Sequence, residues 1–115
     1  MPPEDDVIRL RHMVDAAQSA LGFAAGRCRA DLDTDRMLLM AIVKAVEIVG
    51  EAALNTSAET QAMLPDVPWT SIIGMRHRLT HAYFDVDPDV VWATVEEDLD
   101  PLVVRLRAWI EDREK

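Results

Sequence analysis

A chain of 115 residues with 21 Asp and Glu against 12 Lys and Arg carries a formal charge of −9. That balance excludes broad nucleic-acid binding through phosphate neutralisation over the whole surface, but it leaves room for a local cationic site or a basic protein partner. Half of the residues are hydrophobic, and the length is enough to bury a core without staples, so one globular domain over residues 1–115 is expected.

No apolar run reaches the roughly 18 residues of a membrane span. The longest, MLLMAIV from Met37 to Val43, is ended by Lys44. The opening MPPEDDVIRLRH is acidic and lacks the basic start and apolar stretch of a signal peptide. The single Cys28 has no internal disulfide partner. A cytoplasmic protein without a membrane partner is the expectation.

In chain order, the first segment is EDDVIRLRHMVDAAQSALGFAAGRC. Val7, Leu10, Val14, Ala17 and Leu21 recur at helical steps. Acidic residues lead it, and Arg27 and Arg29 trail it as partners for the helix dipole. RADLDTDR then breaks the pattern. The second segment, RMLLMAIVKAVEIVGEAAL, has Thr34 or Asp35 as N-cap. It is apolar over most of its circumference, through Leu38, Leu39, Ile42, Val43, Val46, Ile48 and Val49. Such a helix is either central or at an oligomer interface. Gly50 inside it costs about 1 kcal/mol relative to Ala, which close helix packing would explain.

NTSAETQAMLPDVPW is a connector with one helical turn after Ser57, closed by Pro65 and Pro68. The third segment, WTSIIGMRHRLTHAYF, places Ile72, Met75, Leu79 and Ala82 or Tyr83 on its apolar stripe. DVDPDVVW restarts a helix with Asp87 as N-cap and Pro88 at the first position. The final stretch meets Pro101, which should begin a new helix or kink a long one. Short links between four or five helices give an all-α, up-down antiparallel bundle.

The third segment ends in GMRHRLTHAYF, Gly74 to Phe84, which holds two Arg, two His and the only Tyr of an acidic chain. His77 and His81 are four apart and share a helix face. They read HRLTH, with Arg78 where the zinc proteases' H-E-x-x-H carries its general base, and no third ligand is evident, so no metal is assigned. Arg and His suffice for RNA cleavage by the substrate's own 2′-hydroxyl. His moves protons near neutrality, and Arg holds phosphate oxygens as charge builds on phosphorus.

On a straight helix, five residues turn about 500°, so Arg76 and His81 point about 140° apart. Either the helix ends near His81, or a second copy brings the missing group across a two-fold axis. Tyr83 lies over the apolar stripe, so it is either a core residue or an accessible hydroxyl. Glu51 either faces a cleft and orients an Arg or His, or is a surface carboxylate. Trp69 and Trp92 read as core anchors, and Asp85, Asp87 and Asp89 as capping and turn residues around Pro88.

Arg76, His81 and Tyr83 spell R-x-x-x-x-H-x-Y. With VEIVGEAA (Val46 to Ala53) and PDVPWTSIIGMRHRLTHAYFDVDPDVVWATVEEDLDPL (Pro65 to Leu102), the chain resembles the HepT-type toxins, a branch of the HEPN superfamily of helical ribonuclease domains. The position after the Arg is often Asn in that branch and is His77 here.

The resemblance implies a homodimeric HEPN-like bundle that cuts RNA, tRNA among the candidates, without metal or cofactor. Arg76 and His81 of both protomers would line an interface cleft, with His77 and Glu51 in support. It implies a toxin–antitoxin pair of the type VII kind, in which an MntA-like nucleotidyltransferase antitoxin silences the toxin by transferring AMP to Tyr83. Assemblies larger than a dimer are left open. The alternative is a catalytically inactive HEPN-type subunit that binds a nucleotidyltransferase.

Overall fold

The computed structural model describes residues 3–81 and 86–114. The first helix, α1 (Pro3–Ala24), buries Leu10, Met13, Ala17 and Ala20 completely. Their three- and four-residue spacing aligns them on one face. Gly26 follows with a positive φ of 73°, a conformation open to glycine at low cost, and the chain turns. A short helix, α2 (Asp31–Thr34), sits within the expected break.

Arg27 and Arg29 do not cap α1, because the helix ends at Ala24 before reaching them. They brace the turn instead. Arg27 pairs with Asp31 and Asp35, and Arg29 with Asp33 and Asp89. Of the two N-cap candidates for α3 (Arg36–Asn55), the structure uses Asp35, whose carboxylate accepts from the Leu38 N–H at 3.0 Å. That bond, followed by the one from Arg27, holds the Asp35 carboxyl below its ordinary pKa.

The buried face of α3 carries Leu38, Ile42, Ala45, Val46, Val49, Gly50, Ala52 and Ala53. Its other side is mixed: Met37 is 81% exposed and Met40 56%, with Ile48 and Leu54 also open to solvent, interleaved with Arg36, Lys44, Glu47 and Glu51. The expected turn after Ser57 is α4 (Ala58–Met63), capped by the Ser57 hydroxyl, which accepts from the Thr60 N–H at 3.2 Å.

The same cap is tied to α1 by Asp6, a wholly buried carboxylate. It accepts from the Ser57 N–H at 3.1 Å and from the Ser57 and Thr60 hydroxyls at 2.5 Å each. Burial alone would raise its pKa, but the bonds from Ser57 and Thr60 outweigh burial and the net direction is down. A folded-state pKa below the unfolded value of about 3.9 gives stability that is present above that pH and lost as pH falls through the folded value. Asp6→Ala should cost about 3 kcal/mol in urea unfolding at neutral pH, because it orphans buried donors. Asp6→Asn should flatten the fall of stability between neutral pH and pH about 3.

Helix α5 (Trp69–His81) follows Pro68. Trp69 is buried as expected, and its indole N–H donates to the Leu64 carbonyl at 3.0 Å, closing the connector. Helix α6 (Pro88–Ala93) starts where expected. Asp87 accepts from the Asp89 N–H at 2.9 Å, and Pro88 occupies the first turn.

Pro101 stands in the first turn of a new helix, as one of the two expectations had it. A π-helical turn over Thr94–Asp98 leads directly into α7 (Leu99–Arg113), which runs through it. Pro101 lacks an N–H and would clash with the carbonyl four residues back. The wider turn immediately before it relieves that conflict. Trp92 is half-buried against the core.

Helix α1 packs against α3 and α7, and α3 also against α5, around one hydrophobic cluster. The result is the expected all-helical HEPN-like bundle. Among the described residues, four long helical runs, the last formed by α6, the π turn and α7, carry it, and two short helices link them. Among the described residues, no helix is long and apolar enough to cross a membrane.

Candidate functional site

The site is assembled where α5 crosses α3. Gly50 is buried on α3 directly beneath Arg76 of α5. A Cβ at position 50 would overlap the Arg76 Cβ. It would also stand 3.1 Å from the Arg76 Cγ and 3.2 Å from the Ile72 carbonyl oxygen. Close packing therefore explains the glycine, and the residue it admits is the arginine singled out in the sequence. The Arg76 side chain is half-buried, with its stem against α3.

Charge pairing and burial together set Arg76 apart. Arg9, Arg11, Arg27, Arg29, Lys44 and Arg105 each form an ion pair with a carboxylate. Among the described residues, no carboxylate pairs with Arg76 or Arg78; Arg78 reaches only the Met75 sulfur, at 3.7 Å. Arg36, Arg78, Arg107 and Arg113 are exposed, Arg113 with its guanidinium over the Trp109 ring, whereas Arg76 is half-buried. In a chain of net charge −9, an arginine with no carboxylate partner among the described residues is suited to an anion. A half-buried guanidinium without a carboxylate can give its paired N–H groups to phosphate oxygens.

His77 is exposed on the same helix. His81 is its last described residue, placed by its backbone. Helix α5 is unbroken from Arg76 to His81, so the two residues leave it about 140° apart. The helix ends at His81, as one of the two expectations had it, and the chain immediately beyond lies outside the described residues. Tyr83, Ala82 and Asp85 lie outside the described residues.

Glu51 is exposed and lines a groove of about 390 Å³ between α1 and α3, with Asp5, Arg9, His12 and Asn55. Arg76 and His77 are not among its lining residues. His12, the third histidine, carries no signal in the sequence because it lies far along the chain from the motif. Only the packing of α1 on α3 puts it in the groove that Glu51 lines. Asp87 is a cap as read, whereas Asp89 receives Arg29 across 2.5 Å.

Residues 13–108 match the family described as "Ribonuclease HepT-like". The chain is 36% identical over 93 residues to "Probable ribonuclease HepT" of Thermococcus cleftensis, covering 81% of this chain and 84% of that one. It is 32% identical over 93 residues to "Putative RNase TTE0752" of Caldanaerobacter subterraneus subsp. tengcongensis, covering 81% and 83%. It is 29% identical over 90 residues to "Putative RNase MJ1380" of Methanocaldococcus jannaschii, covering 78% and 83%. No solved structure matches the chain. With the family match spanning most of an all-helical chain that seats a half-buried arginine at the crossing of α3 and α5, this protein belongs to the HepT-like ribonuclease family.

Proposed function

We propose that this protein is a metal-independent endoribonuclease toxin of the cytoplasm, acting on RNA as a homodimer and silenced by a nucleotidyltransferase antitoxin of the MntA kind. The observation that carries the reading is Arg76, half-buried and without a carboxylate among the described residues while six other cations have one. In the proposed reaction Arg76 binds the scissile phosphate and stabilises its extra negative charge. His81 exchanges the proton of the attacking 2′-hydroxyl or of the leaving oxygen.

The 140° separation on α5 is answered by a second copy, which supplies the complementary residue across a two-fold axis. The exposed Met37, Met40, Ile48 and Leu54 of α3, set among Lys44, Glu47 and Glu51, are the apolar residues that such a copy would cover. His77 and Glu51 are supporting residues in this reading. Tyr83, two positions after His81, is the acceptor for AMP. The added phosphate and adenosine would obstruct the cleft and compete for Arg76.

Two measurements test this. Purified protein should cleave RNA in excess EDTA, leaving 2′,3′-cyclic phosphate ends. Protein co-expressed with its neighbouring nucleotidyltransferase should gain mass in whole AMP steps, absent from Tyr83→Phe. Intact RNA, or cleavage abolished by EDTA, would sink the nuclease reading. An unmodified mass beside an active transferase would remove the silencing mechanism.

The −9 charge favours a second reading, an inactive subunit that holds a nucleotidyltransferase. Under it, Arg76→Ala weakens partner binding and no cleavage is seen in any preparation.

A further inference from the structure

We infer that Gly50 is the positioning residue for Arg76. The absence of a side chain at 50 lets α5 approach α3 closely enough to hold the arginine stem in one place, and so fixes where its guanidinium emerges. The inference rests on the ribonuclease reading of Arg76.

The geometry supporting it is local. A Cβ at position 50 meets the Arg76 Cβ, an atom fixed by the backbone of α5. It also meets the Ile72 carbonyl oxygen one turn earlier, at 3.2 Å. Neither is the free end of a flexible chain, so the overlap is relieved only by moving α5 itself. Gly22 and Gly74, also in helices, would meet nothing within 4 Å on gaining a Cβ. Gly50 is therefore the helical glycine whose missing side chain is occupied by a neighbour.

Chemistry makes that placement matter. A guanidinium binds phosphate through two parallel N–H groups in a rigid fork, which demands a set position and plane. Displacements of about 1 Å at a reacting centre cost rates of about 100-fold. Lysine presents a point charge on a flexible stem and is far less sensitive to where its Cβ starts.

The test measures RNA cleavage and melting temperature for Gly50→Ala in the wild-type background and in an Arg76→Lys background. Val103→Ala, buried on α7, serves as a destabilised control. The expected result is a loss of cleavage of about 10- to 100-fold for Gly50→Ala with Arg76 present. In the Arg76→Lys background the further loss should be under about 3-fold, since the interaction between the two sites is non-additive. Val103→Ala should keep near-normal cleavage at a similar melting temperature.

Equal losses in both backgrounds, or full activity of Gly50→Ala, would overturn the inference. Should Gly50→Ala fail to fold, the double variant Gly50→Ala with Arg76→Gly decides it. That variant removes the clashing Cβ and is expected to fold; its failure to fold overturns the contact. If Arg76→Lys alone cleaves like wild type, the failure lies in the ribonuclease reading of Arg76. If Arg76→Lys is impaired and Gly50→Ala is not, only the positioning role falls.

Discussion

Arg76→Ala should lower the rate of RNA cleavage by about two to three orders of magnitude while the protein keeps its helical content and melts within a few degrees of wild type. The size follows from the loss of one preorganised donor to a developing oxyanion, a loss of about 10²- to 10³-fold in enzymes where it has been isolated. A pentacoordinate phosphorus gathers more charge than a carbonyl oxygen, so the upper end is expected here.

Stability should be spared. Arg76 has no ion pair among the described residues, and its burial against Gly50 involves only the stem, whose first carbon alanine retains. The measurement is single-turnover cleavage of a labelled RNA, with circular dichroism on the same samples. A rate within threefold of wild type would remove Arg76 from the chemistry. A collapsed helical signal would make its role structural. Arg76→Lys should fall between the two, because it keeps the charge and loses the bidentate fork.

Mixed dimers should recover activity that neither parent has. His81→Ala should be depressed by about 10²- to 10⁴-fold, the range expected for a proton-transfer group. Arg76→Ala homodimers lack the arginine in both sites, and His81→Ala homodimers lack the histidine in both. A heterodimer of the two contains one site with both residues intact, provided each site draws Arg76 from one protomer and His81 from the other. Its rate should approach half that of wild type, at least about 50-fold above either parent on the ranges used here.

Were both residues drawn from one protomer, the heterodimer would have no complete site and would stay as slow as the parents. The reasoning starts from α5 being one unbroken helix from Arg76 to His81, which turns the two about 140° apart. Dimerisation itself is checked by placing Asp at Met40 and Ile48. Charging those exposed apolar positions of α3 should lower the solution mass to that of a monomer and abolish the recovery.

Much of the molecule was legible along the chain, because helices announce themselves locally. The periodic Leu10, Val14 and Ala17 of α1, the caps Asp35, Ser57 and Asp87, and Pro88 at a first turn depend on neighbours three or four residues away, and each lies where the pattern put it. The candidate site was legible for a related reason. Arg76, His77 and His81 fall within one helical stretch, so a linear motif captures them, and the family follows from that motif and the block around it.

What the tertiary structure alone decided concerns contacts between distant segments. Asp6 looked like one of several acidic residues at a helix start. It is buried because α4, some fifty residues later, brings Ser57 and Thr60 to it. Pro101 was expected to begin a new helix or kink a long one and stands in the first turn of α7; the π turn that joins α7 to α6 without a break was not visible along the chain.

Gly50 was readable as a packing glycine. That its partner is Arg76 emerged only when α5 crossed α3, since nothing in the spacing of 26 positions specifies which turn meets which. A residue's own helix is written in its neighbours. The atom that fills the space above a glycine is set by how two helices dock, and that depends on every side chain between them.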